Sequence, residues 1–408
     1  MSTYEFGINS ELSLPDEIGV SQYGTPMGEA VEDANSAVRD ALQNPHEFPP
    51  LNQIVVPGDQ VTLAIGEGLP QMAAVVSGVV NELMSAGIEA DAIRIVRSAE
   101  DARLSRANPT RDLSAPIRDR IEVVVHDSSD RESLSLLGHS VHEDQPVYLN
   151  RQIVDADVVL PLGVIKASGS LGYLGVHGML FPTFADDETQ RRFNAPESSL
   201  ADAELLRRRE EAKEASWMLG VRMTLQVVPG VGDQLLEVLA GDAMVIDQIG
   251  REKCEKVWGV QVSERASLVV ATLPGGREQQ SWSNFARVLD AALRVVRDDG
   301  AIAVCCDLSA KPGPALKRLA RSDSLDLANQ AIHNDRSYDA LIATQLVRTL
   351  QRARVYMLSQ LEEDVVESLG VAYVSCPEEL IRLASHYDSC ILLQNAHQAV
   401  PVVDSDDE

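Results

Sequence analysis

The segment "VTLAIGEGLPQMAAVVSGVVNELMSAGIEADAIRIVR" (61–97) contains a β-branched run, a helix-like stretch and a second β-branched run. The runs at 61–65 and 92–97 are predicted strands. Between them, Pro70 and Gly87 stand where a helix typically begins and ends. A strand, helix and strand in this order predict a parallel pair of strands in an α/β domain.

The same alternation continues along the chain. Further strands are predicted at 121–126 and 156–165, and a helix at 200–220. A second α/β region begins at "ASLVVATLPGG" (266–276) and continues with a helix at 281–297, a strand at 301–306, a long helix around 338–353 and the strands "RVYMLS", "VAYVS" and "CILLQ". Since 408 residues exceed what one core holds, at about 250 to 300 residues, we expect two α/β domains with mainly parallel sheets. Their predicted ranges are 1–264 and 265–400, followed by an acidic, disordered tail at 401–408.

Composition excludes some classes of partner. The net charge of −27 would repel nucleic acid and anionic lipid, whose binding depends on Lys and Arg. No apolar run reaches the ~18 residues that span a bilayer, and the acidic start "MSTYEFGINSELSLPDE" does not resemble a signal peptide. The sequence therefore predicts a cytoplasmic protein with a small-molecule ligand and with neither a nucleic-acid nor a membrane partner.

The glycine-rich stretch "GSLGYLGVHGMLFPTF" (169–184) directly follows the predicted strand at 156–165. It is therefore expected at the carboxyl edge of a parallel sheet, where α/β proteins bind ligands. It lacks the Lys-Ser/Thr of a P-loop and the G-x-G-x-x-G spacing. Two structures fit this pattern: a loop that binds an anion through its backbone N–H groups, and a tight turn that allows close packing of the backbone.

Other catalytic motifs are missing from the sequence. H-x-x-x-H, H-E-x-x-H and G-x-S-x-G do not occur. The eight histidines are widely spread, and no metal site is predicted.

Several segments, in order, resemble the nickel-pincer lactate racemases. They are "ANSAVRDALQNPHEFPPLNQIVVPGDQVTLAI" (34–65), "VVVHDSSDRESLSLLGHSVHEDQPVYLNRQIVDADVVLPLGVI" (123–165), "LEVLAGD" (236–242), the helix at 281–297 with "DDGAIAV", and "RVYMLSQL". The resemblance covers about residues 30–402. It implies two α/β domains with an active site in the cleft between them.

The resemblance implies a cofactor and a set of residues that hold it. In that family a nickel pincer made from nicotinic acid mononucleotide is attached to a lysine and takes the hydride from the substrate. One histidine binds nickel, two histidines exchange the hydroxyl proton, and cations hold the cofactor phosphate and the substrate carboxylate. Each of these groups has a matching position in this chain.

Most of the matching positions carry other residues. Ala64 and Glu67 stand where the family has aspartate and arginine, and Asp101 stands near the first histidine base. Ser168 occupies the position of the second base and Gly178 that of the cofactor lysine, whereas Gly172, Tyr173, Gly175 and Pro182 agree with the family. Phe285 and Val288 replace polar substrate-binding residues, and no histidine occurs between Gly178 and Ile332, where the nickel ligand is expected.

Three functions remain open. The first is a small-molecule binding or regulatory homologue that has lost nickel-pincer hydride transfer and carries no cofactor. The second is an enzyme with altered proton-transfer or metal-assisted chemistry in the same cleft, and the third is a still active 2-hydroxyacid racemase or epimerase. Whether the chain is an isomerase at all is left open, because the catalytic His and Lys positions are not matched.

The candidate residues fall into three groups. The catalytic candidates are His177, Asp101, Glu67 and Lys166, and the substrate-side candidates are Arg277, Gln279 and Trp282. The cleft loop consists of Ser168, Gly172, Tyr173, Gly175 and Gly178.

Overall fold

A computed structural model describes residues 2–14, 20–103, 108–141, 145–168, 172–193, 202–322, 324–333 and 337–404. The strands are β1 (Ser2–Phe6), β2 (Ser10–Leu14), β3 (Val20–Tyr23), β4 (Val61–Ile65), β5 (Ile93–Arg97), β6 (Glu122–Val125), β7 (Leu134–His139), β8 (Pro146–Asn150), β9 (Val158–Val164), β10 (Lys166–Ser168), β11 (Gly172–Leu174), β12 (Met223–Pro229), β13 (Leu235–Asp242), β14 (Gly259–Val262), β15 (Ala266–Thr272), β16 (Val296–Cys305), β17 (Arg354–Leu358), β18 (Ala372–Val374), β19 (Cys390–Leu393) and β20 (Val400–Val403).

The helices follow the same order along the chain. They are α1 (Ala34–Gln43), α2 (Met72–Ser85), α3 (Ala99–Arg103), α4 (Ala115–Arg118), α5 (Arg151–Val154), α6 (Val176–Leu180), α7 (Asp187–Phe193), α8 (Asp202–Met218), α9 (Ala243–Trp258), α10 (Trp282–Val295), α11 (Pro314–Leu319), α12 (Leu325–His333), α13 (Ala340–Leu350), α14 (Glu363–Ser368) and α15 (Pro377–Ala384). None of the described helices is both long and apolar enough to cross a membrane.

The chain forms two compact units. The central unit contains the described residues of Gly28–Phe193 and Leu200–Cys254. The terminal unit contains those of Met1–Met27 and Glu255–Glu408, so it combines described residues from both terminal parts of the chain.

The central unit is built on a six-stranded sheet in the order β13-β12-β9-β4-β5-β6. All its neighbouring strands are parallel except the edge pair β12 and β13. β4 and β12 are buried along their whole length. Long Val, Ile and Leu runs suit such strands, because helices cover both faces of a parallel sheet.

Helices α1 and α2 pack together on one face of this sheet. At their contact a Cβ on Gly78 would lie 2.9 Å from Val38, so only glycine allows the two helices to approach this closely. The other face is covered by Phe181, Phe184 and Phe193 together with apolar residues of α8.

The terminal unit also has a six-stranded sheet, in the order β18-β17-β16-β15-β19-β3. All of its neighbouring strands are parallel. Helices α10 and α13 pack on one face, while the β1–β2 hairpin and α15 pack on the other. The mixed α/β class with mainly parallel sheets is therefore confirmed.

The division into units differs from the ranges expected from sequence. The N-terminal 27 residues group with the C-terminal half, because β3 pairs with β19 and completes its sheet. The change of unit occurs at Cys254 and Glu255, inside α9, rather than near residue 264. In the tail, Val400–Val403 forms β20 and pairs with β14, and residues 405–408 lie outside the described part.

Candidate functional site

The carboxyl ends of β4 and β9 form the topological switch point of the central unit. β5 lies on the other side of β4, so the chain leaves β4 and β9 in opposite directions. The backbone N–H of Gly66 donates to the Leu162 carbonyl at 2.9 Å and joins the two strand ends. Open α/β sheets bind their ligands at such a position.

Two predicted residues meet directly across this switch point. The Lys166 Nζ donates to the backbone oxygen of Glu67 at 3.0 Å, although the residues are 99 positions apart in the chain. Lys166 is 7% exposed. A buried ammonium needs such partners, because leaving it unsatisfied costs several kcal/mol.

Asp101 reaches the same place from the end of β5. It is completely buried, and its Oδ1 accepts from the Gly68 N–H at 3.4 Å. Its own N–H donates to the Ser98 Oγ at 3.2 Å, which holds the start of α3. Glu67, Asp101 and Lys166 are therefore brought together by the sheet edge.

The glycine-rich loop begins as a hairpin of β10 and β11, in which Ser168 lies opposite Gly172. Residues 169–171 lie outside the described part of the chain. Gly175 immediately precedes the short helix α6, and Gly178 lies buried within it. Ser168 and Gly172 thus belong to the hairpin, whereas Gly178 belongs to a helix that packs on α8.

Tyr173 is held between two glycines. A Cβ on Gly175 would overlap its ring, and a Cβ on Gly250 of α9 would overlap its hydroxyl oxygen. The guanidinium of Arg251 lies over the ring, 5.3 Å from its centre, and its Nη2 is 3.4 Å from Asp247 Oδ2. Burial raises the pKa of Tyr173. The tyrosine is therefore a neutral, packed side chain.

His177 is 6% exposed, and neither ring nitrogen has a hydrogen-bond partner among the described residues. Burial lowers its pKa, partly opposed by the charge of Asp247, so the imidazole is neutral at neutral pH. The other charges acting on it are Lys213, Glu210 and Asp242. Its charged surroundings therefore come from α8, α9 and the residue that precedes α9.

His126 shows the usual arrangement of a buried histidine. Its Nε2 lies 2.9 Å from the Ala185 carbonyl and its Nδ1 3.2 Å from the Asn150 amide nitrogen. The amide donates to Nδ1, so Nε2 carries the hydrogen and donates to the carbonyl. His126 thus has a structural role that His177 does not share.

Sequence reasoning missed Gln226, which lies inside the buried strand β12. Its Nε2 donates to the Thr224 Oγ1 at 2.9 Å, while its Oε1 has no partner among the described residues. Met179 of α6 also lies over Gly163, where a Cβ would be 2.7 Å from its sulfur. The available signal in "MTLQVVP" was the pair of polar residues Thr224 and Gln226, which lie two positions apart and therefore on the same face of the strand.

The substrate-side candidates all lie in the terminal unit, in the loop after β15 and at the start of α10. Arg277 is exposed. Gln279 is buried, and its Oε1 accepts from the Asn284 Nδ2 at 3.1 Å. The Trp282 Nε1 donates to the Ala310 carbonyl at 2.8 Å, which gives this ring a structural role.

Phe285 and Val288 belong to the apolar core beneath α10 and are completely buried. No cation or amide can act from these two positions. Within the described ranges, no three His, Cys, Asp or Glu side chains lie close enough together to hold a metal ion.

A family model and a solved structure both relate this chain to the lactate racemases. Residues 5–194 match the model of the lactate racemase N-terminal domain. The whole chain is similar to the lactate racemase apoprotein of Thermoanaerobacterium thermosaccharolyticum, with 16% identity, a TM-score of 0.75, and coverage of 98% of this chain and 100% of that one.

A second solved structure, a protein from Thermotoga maritima, has 11% identity and a TM-score of 0.63 and covers 91% of this chain and 98% of its own. No curated protein sequence matches the chain. At these identities the solved structures support the fold, and the domain model supports the family. Residues 5–194 are therefore similar to the lactate racemase N-terminal domain, and nearly the whole chain has the fold of a lactate racemase apoprotein.

Proposed function

We propose that this protein is a lactate-racemase-like homologue that has lost hydride transfer on a nickel pincer and binds a small molecule in a binding or regulatory role. The proposal includes the absence of a resident cofactor. The resemblance requires a lysine to carry the cofactor, a histidine to bind nickel and two histidines to move protons, and each requirement can be compared with the residues present.

The observation that carries the proposal is the role of Lys166. The position matched to the cofactor lysine is Gly178, and Lys166 is the one lysine in the loop region. Its Nζ is buried and donates to the Glu67 carbonyl at 3.0 Å. An amine that joins two strand ends in this way is poorly placed to carry a covalent cofactor.

The carboxylates at the same edge support the proposal. Glu67 and Asp101 stand where the resemblance expects a cation and a histidine. Two negative charges about 4 Å apart repel by about 4 kcal/mol at an effective dielectric constant of about 20. The charge of Lys166 offsets one of these carboxylates, so this edge still offers an anionic nucleotide cofactor less positive charge than the expected cation would.

Histidines give a third line of support. His177 is the single histidine from residue 143 to residue 332, and one imidazole cannot act as nickel ligand and as two proton-transferring bases. The residues present therefore do not fit the nickel pincer.

The test is a metal analysis together with the intact mass of full-length protein purified from its native host, so that a missing cofactor does not result from a foreign host that cannot make it. We expect the mass of the bare chain and no nickel. A lactate racemase purified in parallel serves as the positive control. Stoichiometric nickel with a cofactor-sized mass increase would refute the proposal.

A matched pair of variants locates any adduct that is found. Lys166→Met should reduce stability without changing the mass beyond the substitution, because it removes the bond to Glu67. Lys213→Met removes a half-exposed lysine of α8 and serves as the control. An adduct that disappears only in Lys166→Met would show that Lys166 carries a cofactor.

One observation favours a second function, an enzyme with altered proton-transfer chemistry. His177 is a neutral imidazole whose ring nitrogens have no partner in the described part of the chain, and such a group can serve as a general base. Its test is the exchange of the α-hydrogen of L-lactate with deuterium in D2O, followed by NMR. Exchange that His177→Gln abolishes, and that His386→Gln at an exposed site preserves, would establish this second function and exclude a purely binding role.

A further inference from the structure

The terminal unit has its own topological switch point, at the carboxyl ends of β15 and β19. These strands are parallel neighbours, and β16 lies on the opposite side of β15. The loops that follow them are residues 273–281 and 394–399. The second loop contacts the end of β15 directly, because the Ala396 N–H donates to the Thr272 carbonyl at 3.0 Å.

Three buried oxygen atoms at this edge have no hydrogen-bond partner in the described part of the chain. They are the Thr272 Oγ1, the Asn395 Oδ1 and the Gln398 Oε1. The residues are 0%, 3% and 6% exposed, respectively. Buried polar groups in native proteins almost always have partners, so three exceptions, at the end of β15 and in the loop that contacts it, need a common explanation.

The orientation of Asn395 is set by its surroundings. Its Nδ2 donates to the Gly24 carbonyl at 3.0 Å, which leaves the Oδ1 as the unpaired atom. Its φ angle is +48°, in the left-handed region that is uncommon for residues other than glycine. Backbone strain of this kind is concentrated at ligand-binding and active sites.

The surroundings of these atoms are polar but carry little charge. Gln279, Gln280 and Asn284 are buried amides, and Gln280 is satisfied by bonds to the Leu273 and Gly275 carbonyls. Arg277, the one cation in the first loop, is exposed. A carboxylate bound here would find little positive charge, whereas hydrogen-bond donors would find three unpaired acceptors.

We propose that this amide edge, formed by Thr272, Gln279, Asn395 and Gln398, binds a small uncharged 2-hydroxy carboxamide or a molecule with the same set of donors. A carboxamide offers two N–H donors and the hydroxyl one O–H donor, which matches the three unpaired oxygens. The hydroxyl of Thr272 can in turn donate to the ligand carbonyl. This inference rests on the proposed function for the statement that the protein binds a small molecule, and it names the chemical class.

The test compares lactamide with sodium lactate, which differ only in the amide and carboxylate groups. Binding to the full-length protein is measured by isothermal titration calorimetry at constant ionic strength. We expect saturable binding of lactamide that is at least tenfold tighter than that of lactate. Equal or tighter binding of lactate, or no binding of either compound, would overturn the inference.

A matched pair of threonine variants locates the site. Thr272→Val removes an unpaired hydroxyl and should weaken lactamide binding at least fivefold. Thr349→Val serves as the control, since Thr349 is equally buried in the same unit but its hydroxyl already donates to the Gln345 carbonyl at 2.7 Å. We expect unchanged lactamide affinity in this control.

The thermal unfolding midpoints of the ligand-free variants show whether the Thr272 hydroxyl lacks a hydrogen-bond partner. Thr272→Val should keep or raise the midpoint, and Thr349→Val should lower it. A lowered midpoint with unchanged lactamide affinity in Thr272→Val would mean that the hydroxyl has an internal partner, such as a buried water, and would overturn the inference.

Failure of this inference and failure of the proposed function give different results. Nickel and a cofactor-sized mass increase in the native protein would refute the proposed function, whatever lactamide does. Nickel-free protein that does not bind lactamide would refute only the amide edge as a ligand site.

Discussion

Gly250 lies in the interior of α9, directly beneath the hydroxyl of Tyr173. At an ordinary position in a helix, replacing glycine by alanine gains about 1 kcal/mol from helix propensity. Here a Cβ would overlap the Tyr173 hydroxyl oxygen and would lie 3.1 Å from the Ile165 Cδ1. We therefore predict that Gly250→Ala destabilises the protein.

The magnitude follows from the packing around the ring. Overpacking a well-filled site costs about 1 to 3 kcal/mol. We expect a cost near about 3 kcal/mol, because Gly175 contacts the Tyr173 ring and keeps it from moving away from a new Cβ on residue 250. Subtracting the propensity gain of about 1 kcal/mol leaves a net loss of about 2 kcal/mol.

A double-mutant cycle isolates the cause. Tyr173→Phe removes the oxygen atom that the new Cβ would overlap. In that background Gly250→Ala should be neutral or stabilising by up to about 1 kcal/mol, so the coupling between the two sites should be about 2 to 3 kcal/mol.

The assay is urea unfolding followed by circular dichroism, with both the midpoint and the slope compared, because two compact units need not unfold in one step. If Gly250→Ala stabilises the otherwise unchanged protein, or has the same effect in both backgrounds, Tyr173 does not pack against α9 as described. The position of the glycine-rich loop would then need revision.

Two further predictions concern stability. Burial lowers the pKa of both His126 and His177, so below about pH 6.5 the unfolded chain binds protons that the folded chain does not. The free energy of unfolding should therefore fall as the pH drops from about 7 to 5.5, by up to about 1.4 kcal/mol per pH unit for each histidine. In urea unfolding measured at several pH values, His126→Gln should make this pH dependence weaker. An unchanged pH dependence would contradict the prediction. Asp339 accepts hydrogen bonds from two backbone N–H groups at the start of α11, at 3.0 and 3.1 Å, so Asp339→Ala should cost about 2 kcal/mol in the same assay. A cost below about 0.5 kcal/mol would show that α11 does not depend on this cap.

Much of the α/β pattern was predictable because it is local. The run "VTLAI" forms β4 with the predicted bounds, and the helix predicted at 281–297 is α10 at Trp282–Val295. Short apolar runs and helix-end residues act over a few positions, so one sequence is enough to recognise them.

The composition of the units was not predictable in the same way. β3 joins the sheet of the terminal unit by pairing with β19, more than 300 residues away. The four residues "VSQY" carry little apolar pattern of their own. Their strand conformation depends on a distant partner that no local signal identifies.

The candidate site shows the same limit. The chain order suggested Glu67, Asp101 and Lys166 as separate candidates, and the sheet edge brings them together. No motif pointed to Thr272, Asn395 and Gln398, because their shared property is the lack of a partner, and that exists only after the loops have folded. The roles of all these residues in binding or catalysis remain predictions.

The sequence by itself determined the α/β class and the resemblance to the lactate racemases, because residue identity and short-range periodicity carry this information; the replacement of that family's lysine and histidine positions stays a prediction. Only the tertiary structure decided which strands share a sheet, that Lys166 bonds to Glu67, and that His177 is buried without a partner in the described chain. It also decided that three oxygens without partners in the described chain lie at the end of β15 and in the loop after β19. Burial and hydrogen bonding depend on residues far apart in the chain, so they are properties of the folded molecule rather than of any segment.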